Sequence, residues 1–110
     1  MNLKIISLKN FAKDVKILHK RYKSIGKDLQ KLQKLLLQNP KSGTHITHNC
    51  YKIRLANSSV PTGKSGGFRI IYYYLDNQQN IFLLSIYSKS DIENIDEKKI
   101  IEILKDAGLQ

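Results

Sequence analysis

Lys52 and Arg54 alternate with Tyr51, Ile53 and Leu55 along one run of the chain, and Arg69 stands between Phe68 and Ile70 in another. A period of two is the strand period, so each run read as a strand divides its side chains between two faces. In the run Phe68–Leu75, Phe68, Ile70, Tyr72 and Tyr74 oppose Arg69, Ile71 and Tyr73. In the run Ile81–Tyr87, Phe82, Leu84 and Ile86 are expected to oppose Leu83, Ser85, Tyr87 and, beyond it, Lys89. If the apolar sets share a core, Lys52, Arg54, Arg69, Tyr87 and Lys89 share an open face without an acid. Its cations suit phosphates and its tyrosines suit base stacking, with Tyr87 and Tyr73 the candidates. RNA is the polyanion this face suits best.

The connection Asn57–Gly67 (NSSVPTGKSGG) adds Lys64 and several glycines. Glycines let backbone N–H groups approach a phosphate, but the GxxxxGK[ST] spacing is missing, so this is no Walker A loop. On local sequence alone it reads as a solvated hairpin connection. His45 and His48, with Cys50 close by, lack a fourth ligand for zinc, so no metal or other cofactor is expected. No Ser/His/Asp signature is present, and the acids show no spacing for glycosidase chemistry or a metal. The other tyrosines of Tyr72–Tyr74 read as strand packing.

Charge supports a polyanion partner. The 110 residues carry a formal net charge of +10, and a strongly basic small chain commonly meets nucleic acid, an anionic membrane or an acidic protein. Residues 41–74, which hold the cationic strands and the loop, contain five Lys/Arg and no acid. The length and the 41% hydrophobic content fit one domain spanning 1–110. One cysteine excludes an internal disulfide, and no run approaches the roughly 18 apolar residues of a membrane span. The opening MNLKIISLKN is too short in apolar residues for a signal peptide, so a soluble cytoplasmic protein is expected, with no membrane and no small-molecule substrate.

The remaining elements position this face. Leu3–Leu8 is expected to be an opening strand, with Asn10 capping the helix that follows. Phe11, Val15, Leu18 and Tyr22 form one helical stripe. After a turn at Ser24–Gly26, a second helix from about Lys27 to Gln38 is expected to bury Leu29, Leu32, Leu35 and Leu36 and to stop at Asn39–Pro40. Lys41–Asn49 reads as a loop, the three strands as an antiparallel meander, and Asp76–Asn80 as a hairpin turn. A final helix capped by Asp91 or Asp96 runs to about Ala107, with Ile95, Ile100, Ile103 and Leu104 on its apolar side. The fold class is α+β: an antiparallel sheet with an N-terminal helical hairpin packed on one face and a short C-terminal helix.

The pieces LQNP, YKIRLA, GKSGGFRIIYYY and IYSKSD, in this order of elements, carry a resemblance that spans most of the chain. The chain resembles the RelE/ParE superfamily of bacterial type II toxins, most closely the RelE/HigB-like branch. The glycine-rich piece is the most specific of the four. The resemblance implies a RelE-like fold and a metal-free endoribonuclease that cuts mRNA in the ribosomal A site, held inactive by a cognate antitoxin. In the implied chemistry a ribose 2′-OH attacks the neighbouring phosphate, leaving a 2′,3′-cyclic phosphate and a 5′-OH. That needs a base, an acid and cations facing the transition state.

Residue by residue, the resemblance makes Lys52 the candidate base, which requires neighbouring positive charge to lower its pKa. It makes Arg54 and Arg69 phosphate ligands. Lys64 matches the lysine of the G-K-x-G-G loop and would contact RNA backbone or ribosomal RNA. Tyr87 would stack on a base, and Lys89 would act as acid or phosphate ligand. The chain departs from the best-studied branch, which has an Arg just after that lysine and a Tyr farther on. Here Ser90 and Asp96 stand nearest, so the resemblance leaves the general acid unassigned. Two other classes compete: a ParE-like DNA gyrase poison, and a non-catalytic degenerate toxin that binds nucleic acid or a protein partner. The convergence of Lys52, Arg54 and Arg69 argues against the first; Ser90 and Asp96 motivate the second.

Overall fold

The computed structural model describes residues 3–61, 63–75 and 77–110. Its elements are β1 (Lys4–Ser7), α1 (Lys9–His19), α2 (Ile25–Gln38), β2 (Thr44–Thr47), β3 (Cys50–Leu55), β4 (Phe68–Tyr74), β5 (Asn80–Ser88) and α3 (Glu97–Asp106). The strands form one sheet in the order β1-β5-β4-β3-β2. β3, β4 and β5 make the expected antiparallel meander, while β1 joins β5 in parallel. The α1–α2 hairpin carries the chain from β1 at one edge to β2 at the other, and the meander that follows brings β5 back alongside β1.

The α1–α2 hairpin packs on the face formed by Ile53, Leu55, Phe68, Ile70 and Tyr72. Phe11 and Leu18 of α1 and Ile25, Leu32 and Leu36 of α2 are buried there. Leu35 is not part of the buried stripe; it is 38% exposed. α2 starts at Ile25, inside the expected turn. Asn10 is not a cap either: Leu8 holds the N-cap position, and Asn10 lies in the first turn of α1.

The other face is not open. Ile100, Ile103 and Leu104 give α3 an apolar stripe, and Ile71, Tyr73, Leu84 and Tyr87 cover it from the sheet. Asp96 caps this helix by accepting the Lys98 N–H at 2.9 Å, and Gly108 follows it at φ +73°. Lys41–Asn49, expected to be a loop, contains β2. This edge strand pairs with β3, and Thr47 Oγ1 donates to Glu97 Oε1 of α3 at 2.9 Å. Half-exposed Thr-His-Ile-Thr has no clean apolar alternation, which is why its strand is silent in the sequence. The expected turn at Asp76–Asn80 falls partly outside the described residues, because Asp76 is not among them.

β5 departs from strict alternation. Ile71 pairs with Ser85 but Tyr72 pairs with Leu83, so β5 carries an extra residue at that point. Ser85 stays opposite Ile71 and reaches Asp14 of α1, Ile86 turns to the hairpin side, and Tyr87 emerges on the α3 side. The expected facing of Ile86 and Tyr87 therefore holds. That of the residues before the bulge is inverted: Phe82 and Leu84 pack toward α3, and Leu83 packs toward the hairpin.

Candidate RNA-binding groove

Lys52, Arg54 and Lys64 meet in one groove of about 500 Å³, completed by Leu35, Ser42, Gly43, Thr44 and Ile53. β2 pairs with β3 only as far as Lys52, so the flank of β3 beyond it is left without a neighbouring strand. The groove lies along this flank. Three cations and no acid line it among the described residues.

Lys52 is half-buried, and its Nζ donates to Asn94 Oδ1 at 3.0 Å. Asn94 precedes α3 and is absent from the sequence-level set; only the tertiary approach of the β5–α3 connection brings it to β3. Arg54 is exposed and directly opposes Arg69 across β3 and β4. The two arginines nevertheless differ. Arg69 is only 5% exposed, and its guanidinium faces the loop carbonyls. Nη1 donates to Lys64 O at 2.9 Å and Phe68 O at 3.1 Å, and Nη2 donates to Ser65 O at 3.1 Å. Burial and the nearby Arg54 charge both lower its pKa below the usual guanidinium value. Arg69 thus fastens the loop that presents Lys64.

Two glycines make close approaches around the groove. A Cβ at Gly67 would lie 2.3 Å from the Leu55 carbonyl oxygen, so the loop's end packs directly on the end of β3. A Cβ at Gly43 would lie 2.9 Å from the Lys52 carbonyl oxygen. Gly43 N–H donates to the Tyr72 hydroxyl at 3.0 Å, and that hydroxyl donates to Pro40 O at 2.8 Å. These contacts hold the α2–β2 connection against Lys52.

Lys89 lies just past β5. Its backbone N–H donates to Gly67 O at 3.0 Å and its Nζ to Glu93 O at 2.8 Å. It stands at the other side of the glycine-rich loop, outside the lining of the groove. Tyr87 is directly opposite Arg69, 7% exposed, under the α3 side. Its hydroxyl is enclosed without a partner in hydrogen-bond geometry among the described residues, and burial pushes its pKa up. Tyr73 is 6% exposed, edge-on to Phe82 at 6.1 Å. It sits four residues along β4 from Arg69, roughly 13 Å at the strand rise. The shared open face expected from alternation is therefore corrected. Lys52, Arg54 and Lys64 converge, Arg69 supports them from beneath the loop, and Tyr73 and Tyr87 are buried.

Cys50 is fully buried toward α3, and burial pushes its thiol up to about 12. His45 lies on exposed β2, where Nε2 donates to His48 O at 2.6 Å. Among the described residues no group of three His, Cys, Asp or Glu is placed to hold a metal. No described helix is long and apolar enough to cross a membrane.

No family model matches the sequence. Solved structures do resemble the fold. A double-arginine mutant of the E. coli toxin RelE in the free state aligns with TM-score 0.59 at 19% identity, covering 96% of this chain and 98% of that one. The isolated E. coli RelE toxin aligns with TM-score 0.58 at 18% identity over the same shares. The RelE mutant in complex with a peptide of the antitoxin RelB aligns with TM-score 0.57 at 18% identity, covering 93% of each chain. The likeness runs over nearly the whole length in both directions, and the fold of this chain is the RelE toxin fold.

Proposed function

We propose that the protein is the toxin of a type II toxin–antitoxin pair, a ribosome-dependent endoribonuclease that cleaves mRNA without a metal. The observation that carries this reading is the groove where Lys52, Arg54 and Lys64 meet, with no acid among its described lining residues, on a RelE fold. Lys52 accepts the proton of a ribose 2′-OH, whose oxygen forms a bond to the adjacent phosphorus. The bond from phosphorus to the 5′-oxygen breaks, and that oxygen takes up a proton. Arg54 offsets the charge gathering on the phosphate oxygens, and Lys64 holds the backbone beside it. Arg69 fixes the loop, and becomes a direct phosphate ligand only if its carbonyl partners release it. Lys89 is the nearest candidate proton donor on the far side of the loop. Tyr87 and Tyr73 reach a base only if α3 moves.

The partner is an antitoxin with an acidic, amphipathic segment. The +10 charge and the antitoxin peptide bound to a RelE of the same fold support this reading.

The test is paired expression in bacterial cells of the wild type and Lys52→Ala/Arg54→Ala, followed by mapping of mRNA 5′ ends. New ends inside translated codons with the wild type alone are expected. Purified toxin stripped with EDTA and then desalted should cut ribosome-bound message as fast as untreated toxin. Well-expressed, soluble wild type that gives no new ends overturns the reading. Binding to ribosomes without cleavage would then select the non-catalytic module, which Ser90 and Asp96 favour, and gyrase-linked DNA breaks would select the gyrase poison.

A further inference from the structure

The groove does not end at β3. Leu35 of α2 lines it together with Lys52, Arg54 and Lys64. Asp28, seven residues earlier on the same side of α2, is 1% exposed and accepts the Ser58 N–H of the β3–β4 connection at 3.0 Å. This side of the helix therefore faces the groove and its loop. Lys31 stands three residues after Asp28 and four before Leu35, between them on the helix surface. Lys27 and Lys34 flank those two residues on the outer side. All three lysines are exposed, and none has an ion-pair partner among the described residues. The one acid of α2 is Asp28, which is turned inward, so nothing on the helix offsets the row.

We propose that Lys27, Lys31 and Lys34 form a second phosphate-binding row, continuous with the groove, that holds the RNA strand flanking the cleavage point. The proposal rests on the reading of the groove as an RNA site. Three lysines a helical turn apart offer one ammonium every 5–6 Å or so. The next residue on the row is Gln38, and the exposed Leu35 and Leu37 fall on opposite sides of it, so the row supplies charge and hydrogen bonds but no continuous apolar stripe for an amphipathic peptide. A polyanionic backbone fits it better than a folded acidic helix.

The experiment measures binding of a fluorescent oligouridylate across a salt series, using the full chain. Four forms are compared: wild type, Lys27→Gln/Lys31→Gln/Lys34→Gln, Lys52→Ala/Arg54→Ala, and Lys9→Gln/Lys13→Gln/Lys16→Gln on α1, which removes the same charge elsewhere. Thermal melts check folding. Each phosphate contact to a single strand contributes about 0.7 to the slope of log affinity against log salt. The α2 triple should lower that slope by about 2, and the α1 triple should leave it near the wild-type value. Equal losses in the two triples mean net charge alone is read, and overturn the row. An unchanged slope in the α2 triple, with weakened binding in Lys52→Ala/Arg54→Ala, overturns the row and leaves the groove standing. Loss of polyglutamate binding in the α2 triple, with RNA binding intact, assigns the row to an acidic protein and overturns it as an RNA site. Absence of RNA binding by the wild type overturns groove and row together.

Discussion

Asp14 of α1 accepts the backbone N–H of Ile86, at 3.2 Å, where β5 bulges. The same carboxylate oxygen accepts from Ser85 Oγ at 3.0 Å, and Asn10, one helical turn earlier, donates from Nδ2 to Leu84 O at 2.9 Å. Two polar residues of one helix thus satisfy backbone groups that the bulge takes out of the ladder. The bulge in turn places Ile86 on the hairpin side and Tyr87 opposite Arg69. A helix outside the candidate site therefore sets the facing of a residue beside it.

Asp14→Ala leaves the Ile86 N–H and the Ser85 hydroxyl without their acceptor. An unsatisfied buried group costs about 1–3 kcal/mol, so a fall in stability of that order is expected in urea unfolding. Asn10→Ala should cost less: it loses bonds to Leu84 O and Asp14 Oδ2 but leaves Asp14 in place to accept from Ile86 and Ser85. Hydrogen exchange at Ile86 should accelerate more in Asp14→Ala than in Asn10→Ala.

Half-burial raises the Asp14 pKa above 3.8, outweighing its hydrogen bonds from Ile86 and Ser85. The native state then holds a proton that the unfolded chain has released, so stability falls as pH rises from 3.8 through the raised value, and the contribution is flat above it. Asp14→Asn removes this titration. The stability difference, wild type minus Asp14→Asn, should decline across that acidic window and then level off. A difference that rises with pH would contradict the burial account.

Arg69→Ala removes the guanidinium donor that the carbonyls of Lys64, Ser65 and Phe68 share. The loop should become sensitive to limited proteolysis within 58–67, with a loss of about 1–3 kcal/mol in stability. Arg54→Ala, which removes an exposed side chain, should leave the melting temperature near that of the wild type. Equal protease sensitivity of the two variants would refute the fastening role of Arg69.

Asp96→Ala removes the N-cap of α3 and should cost about 0.5–2 kcal/mol. Fraying should begin at the end nearest Asn94 and Lys52. Faster amide exchange in the first turn of α3, with unchanged exchange in α1, is the expected pattern. Uniform exchange across both helices would indicate global destabilisation instead.

Much of the fold is legible in the sequence because its signals are local. Period two marks β3 and β4, helical apolar stripes mark α1, α2 and α3, and of the two aspartates that could cap the last helix the structure uses Asp96. The same periodicity places Lys52 and Arg54 on one side of a strand, and composition alone makes their surroundings cationic. Alternation cannot reveal a bulge, because the extra residue of β5 is stabilised by Asn10 and Asp14 from more than 70 positions away. Nor can it reveal which face a later helix will close. α3 buries Tyr73 and Tyr87, which alternation leaves open, because Ile100, Ile103 and Leu104 need apolar cover. Arg54 and Arg69 are the same residue type in the same register. Only the tertiary structure separates them, turning one to solvent and the other to the carbonyls of the glycine-rich loop. The sequence by itself determines every element but β2, and the charge; long-range packing decides which of the charges reach solvent.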